Sequence, residues 1–80
     1  MIIMNKDRRN WLSQVILALD EQRLELENIQ SDEQESYDNM PESLQYSERA
    51  ETISDNIDDL GSCISDLEDI IENLQDIVDR

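Results

Sequence analysis

From Ala50 to Val78 the apolar residues fall at 50, 53, 57, 60, 64, 67, 71, 74 and 78. The spacings alternate between three and four without a slip, the pattern of a coiled-coil seam. Ala50, Ile57, Ile64, Ile71 and Val78 take the a positions of this heptad, and Ile53, Leu60, Leu67 and Leu74 take d. The pattern predicts a helix over about 47–79. Gly61 falls at e, beside the seam. There it costs the helix about 1 kcal/mol relative to Ala without leaving a hole in the seam.

The first half carries a shorter version of the same pattern. Leu12, Val15, Leu19, Leu26 and Ile29 keep heptad spacing, with Gln22 at one polar step, and Ile16, Leu17 and Leu24 widen the stripe. Asn5 suits the N-cap and Asp7 the first turn, so a helix is expected over about 6–37. The segment 38–46 breaks the pattern. Pro41 disfavours the α conformation at Met40; Asn39 and Ser47 both suit the next N-cap, and Ser47, with Glu48 and Glu51 in the following turn, fits best. Folding about residues 41–42 pairs positions whose numbers add to about 83. Leu26 then faces Ile57, Leu19 faces Ile64 and Leu12 faces Ile71. The expected fold is all-α: one antiparallel two-helix hairpin spanning residues 1–80.

Two helices leave one side of each seam wet, and a core this small is marginal. The g positions of the second helix are Asn56, Cys63, Ile70 and Ile77. On the 83 register the last two lie opposite the Trp11, Ile16 and Leu17 end of the first helix. Trp11, Ile16, Leu17, Ile70 and Ile77 are therefore expected to form a homodimer interface that closes a four-helix bundle, with Lys6, Arg8 and Arg9 near the contact. The same register brings those three cations toward Glu72, Asp76 and Asp79.

Composition narrows the function classes. Asp plus Glu number 21 against 6 Lys plus Arg, a net charge of −15, with no His and one Cys. High charge and few aromatics favour disorder, and only the heptad pattern argues otherwise. One Gly and one Pro supply too few turns for an all-β fold. The negative field disfavours direct binding to nucleic acid or to an anionic membrane. Without His, and with one thiol, most metal and nucleophile chemistry is missing, so neither an enzyme nor a cofactor is expected. A solitary Cys63 gives no disulfide framework and suits a reducing cytoplasm. The opening Met1-Ile2-Ile3-Met4 run is too short for a signal-peptide core. Met4 offers an alternative start.

Three carboxylate clusters stand out: Asp32-Glu33-Glu35-Asp38, Asp55-Asp58-Asp59 and Asp66-Glu68-Asp69-Glu72. None has the spacing or central Gly of a twelve-residue calcium loop. They fall mainly on outer heptad faces, where a solvated surface is the plain reading. Cys63 reads as a small residue at a helix interface, and Trp11 and Tyr46 as interface caps or partner anchors.

From Glu25 to Asp79 there are 18 acidic residues and a single basic one, Arg49. Like charges three and four residues apart each weaken a helix by a few tenths of a kcal/mol. A spacer would alternate Glu with Lys. Tolerating this repulsion points to use of the field, with Asp55, Asp58, Asp59, Asp66, Glu68 and Asp69 expected to face a basic surface on a protein partner.

The segment Asp38-Asn39-Met40-Pro41-Glu42-Ser43-Leu44-Gln45, followed by Ser47-Glu48-Arg49 and acidic heptads, resembles short acidic coiled-coil proteins of bacterial and bacteriophage type. The similarity covers about residues 19–78. It implies a helical hairpin and a mobile-element origin, and it carries no activity or site. Such an origin implies an inhibitor of a host defence or nucleic-acid-handling protein, acting in the host cytoplasm much as a DNA mimic would. The alternative is an adaptor coiled coil that takes a partner helix on its apolar strip.

Overall fold

The computed structural model describes residues 4–80; the Met1-Ile2-Ile3 part of the opening apolar run lies outside the described residues. Helix α1 spans Lys6–Asp38, a single 3-10 turn spans Glu42–Leu44, and helix α2 spans Glu48–Val78. The two long helices pack antiparallel along their length as a helical hairpin. Both N-caps fall where the sequence puts them. Asn5 accepts from the Arg8 amide at 2.8 Å, and Ser47 accepts from the Ala50 amide at 3.2 Å. Each satisfies one of the amides that a helix start leaves unpaired.

Pro41 stops α1 from running on. Its φ of −55° and ψ of 142° turn the chain out of the helix, and the 3-10 turn carries it across to Ser47. The Leu44 amide donates to the Pro41 carbonyl at 2.8 Å, and the Ser47 amide to the Leu44 carbonyl at 3.0 Å. Backbone hydrogen bonds thus tie the crossing at both ends of the 3-10 turn.

Helix α2 buries the expected seam, with Ala50 and Ile64 the most covered. Helix α1 does not. The expected seam of 12, 15, 19, 22, 26 and 29 is half right: Leu12, Leu19 and Leu26 face α2, while Val15, Gln22 and Ile29 are exposed. The positions between them are instead Ile16, Arg23 and Gln30, all buried or half-buried. The observed seam thus runs Arg9, Leu12, Ile16, Leu19, Arg23, Leu26, Gln30, Glu33, Tyr37. Arg9, Ile16, Arg23, Gln30 and Tyr37 occupy a, and the other four occupy d. Arg23, Gln30 and Glu33 hold their places with partners, which removes most of the cost of covering them.

The register differs as well. Gln30 meets the Ile57 carbonyl, Glu33 meets Asn56, and Arg23 meets Glu68. These pairs add to 87, 89 and 91, about one heptad beyond the expected 83. Leu26 therefore lies at the height of Ile64, Leu19 of Ile71 and Leu12 of Val78.

The result is a rod of 62 × 18 × 13 Å with a radius of gyration of 18.2 Å. A compact 80-residue domain would have a radius near 12 Å. Only Ile16, Ala50 and Ile64 are buried among the described residues. This is a single layer of two helices, with a seam and no interior.

Candidate binding surfaces

The heptad frame gives the rod three surfaces: the outer faces of the helices, and two flanks where they meet. The flanks differ in chemistry because a and d positions open on opposite sides of the seam.

On the a/e flank the seam is sealed by polar groups. The Arg23 guanidinium lies 3.0 Å from Asp20, 2.9 Å from Glu27 and 3.9 Å from Glu68 of α2, and its side chain is only 20% exposed. The hydrogen bond to Asp20 raises the Arg23 pKa; partial desolvation opposes this, and the charges of Asp20, Glu27 and Glu68 reinforce it. One turn on, Gln30 Nε2 donates to the Ile57 carbonyl at 3.0 Å. A Cβ added at Gly61 would lie 3.1 Å from that nitrogen. The lone glycine thus leaves room for the Gln30 amide to come close to the α2 backbone.

The d/g flank is apolar and open. Met4, Arg8, Trp11, Leu12 and Val15 line one shallow groove near the termini. Ile29, Leu60, Cys63, Glu33, Asn56 and Asp59 line another toward the turn. Trp11 is 68% exposed, and Val15, Ile29 and Ile70 lie between 40% and 49%. Cys63 is exposed beside Ile29 and Leu60, within this flank.

The five residues expected at a dimer interface do not share one surface. Ile16 is 8% exposed and belongs to the hairpin seam. Leu17 is exposed, but at a b position beside the Arg23 flank. Trp11, Ile70 and the half-buried Ile77 remain on the d/g flank. Val15 and Ile29, which the apolar spacing places in the seam, join them on this flank. Had the polar residues at 23 and 30 been admitted to the seam, both would have read as g.

The basic cluster also departs from expectation. Among the described residues every ion pair is made by Arg23, so Lys6, Arg8 and Arg9 form none with Glu72, Asp76 or Asp79. Arg9 Nη2 donates instead to the Met4 carbonyl at 3.3 Å, and its Nε is buried without a partner. The one-heptad shift explains this. It places the first turn of α1 beyond the end of α2, away from those carboxylates.

The outer face of α2 carries the six acids singled out above. Asp55, Asp58, Asp59, Asp66, Glu68 and Asp69 are all exposed. Five of them point outward at b, c or f, and Glu68 turns toward Arg23. Among the described residues no three Asp, Glu or Cys side chains converge to hold a metal ion. No helix of the described chain is long and apolar enough to cross a membrane. Tyr46, at 95% exposure, and Leu44, at 50%, crown the turn end. No protein-family model, curated protein or solved structure matches this chain.

Proposed function

We propose that the hairpin is a non-catalytic binding protein that offers the acidic outer face of α2 to a basic surface on another protein. The observation that carries this reading is the exposure of all six acids on that face. With Glu68 alone near a cation, five of the six carry uncompensated charge. A rigid helix holds them at fixed spacing, which suits a cleft built for the phosphates of a duplex. The reading is therefore an inhibitor or modulator of a nucleic-acid-handling or defence protein. The field would repel nucleic acid itself. With a single thiol and no disulfide partner, the cytoplasm is the compartment proposed.

The test is capture of partners from a host-cell extract by immobilised hairpin at low and high salt, with duplex DNA as competitor. The expected result is a basic partner released by salt and displaced by DNA. It should also be lost when Asp55, Asp58, Asp59, Asp66 and Asp69 are changed to Asn and Glu68 to Gln while helicity is kept. Capture unaffected by salt, DNA and these changes would refute the reading. It would favour the adaptor alternative, for which the exposed Trp11 and Ile70 speak, in which the apolar flank takes a partner helix.

A further inference from the structure

We infer that the d/g flank is covered by a second copy of this chain, laid antiparallel, so that Arg8 of one hairpin meets the Glu33 and Asp59 end of the other. The inference goes beyond the acidic-face reading and does not depend on it.

Area is the first argument. A compact chain of 9.4 kDa exposes about 5,000 Å². This one exposes 6322 Å². The excess of about 1,300 Å² is larger than the roughly 800 Å² that each partner covers in a stable interface of standard size. Exposed apolar side chains gather on the d/g flank, with Trp11 and Val15 toward one end, Ile29 and Leu60 toward the other, and Gln22 between them. The other flank is already closed by Arg23 and Gln30.

The two ends of the flank decide what covers it, and in which direction. The apolar stretch on α1 runs from Trp11 to Ile29, with its middle near residue 20. Arg8 lies at one end of it, in the groove with Trp11 and Val15. Glu33 and Asp59 lie at the other, in the groove with Ile29 and Leu60. A two-fold axis across residue 20 carries residue 8 to the height of residue 32 in the second copy. The observed register places that height level with residue 58 of α2. Arg8 then lands on the α1 side of the groove lined by Glu33 and Asp59 of the second copy, and the reciprocal contact forms at the far end. An arrangement with both turns at the same end would instead lay α1 of one copy over α2 of the other at equal heights, setting Asp59 against Asp32 and Glu33, acid against acid. The flank is thus self-complementary in charge in one direction only, as an isologous interface requires.

Sedimentation of the full chain across micromolar concentrations tests this, alongside Arg8→Glu, Asp59→Arg and the double variant. Acid near a helix N-terminus is favourable, so Arg8→Glu should keep its helicity, and circular dichroism checks that. The expected result is a dimer that each single change weakens about tenfold or more and that the double change restores. Under mild oxidant Cys63 should not link to its own copy, because the antiparallel layout separates the two thiols by about fourteen residues of helix, roughly 21 Å. A wild type that sediments as a monomer throughout would overturn the inference. So would a dimer indifferent to Arg8→Glu, a double variant without rescue, or ready Cys63–Cys63 cross-linking.

Discussion

Gly61 and Gln30 are the residues on which the seam turns. Ala at 61 would gain about 1 kcal/mol of helix propensity. Its Cβ would press the Gln30 amide at 3.1 Å, a flexible tip able to shift by a few tenths of an ångström. Gly61→Ala is therefore expected to leave stability unchanged or raise it by up to about 1 kcal/mol. A longer side chain has no such escape. Gly61→Leu should evict Gln30 from the Ile57 carbonyl and destabilise the hairpin by about 1–3 kcal/mol, despite the better propensity of Leu. Thermal melts followed by circular dichroism decide between these outcomes. A Gly61→Leu variant as stable as the wild type would show that the close approach is not used. In the sequence alone Gly61 reads as a tolerated flaw, because its partner lies 31 positions away, next to Ile29, the residue the apolar pattern favours for the seam.

At the scale of the element, α2 was legible and α1 was legible in part. Every step of the α2 seam is apolar, so one frame fits it. In α1 the strongest apolar residues off the d positions, Val15 and Ile29, stand one place before the true a positions, which hold Ile16, Arg23 and Gln30. A search for apolar periodicity follows the former. The register was illegible for a different reason. A heptad seam slid by seven residues meets itself again, so the apolar pattern cannot distinguish 83 from 90. What distinguishes them is polar: only the longer register puts Gly61 beside Gln30 and Glu68 beside Arg23. Proton NMR is expected to show Leu26 methyls near Ile64, and the Gln30 amide near Gly61, with no contact between Leu26 and Ile57. Replacing both polar residues, in Arg23→Leu with Gln30→Leu, should remove the preference and populate the slipped pairing as a second set of contacts. A single set in that variant would mean that the turn, with its 3-10 step from Glu42 to Leu44, specifies the register on its own.

For the molecule as a whole, charge is the dominant fact. Carboxylates repel one another along both helices, and the only ion pairs that offset this in the described chain gather around Arg23. The Arg23 guanidinium is mostly covered, so salt weakens those pairs little compared with the exposed repulsion it relieves. Raising salt from low to about 0.15 M should therefore increase the melting temperature, by an amount on the order of 1 kcal/mol in stability. A fall in melting temperature over that range would contradict this. The charge is also lopsided. The turn half, residues 23–67, carries thirteen acids and two bases, whereas the termini half carries eight acids and four bases. Before a second copy covers it, a single hairpin charged in this way feels a torque in the field of a cationic surface and swings round to approach it turn first, with Tyr46 leading. Both chain ends then trail on the far side, so whatever is joined to either of them is held away from the surface being approached.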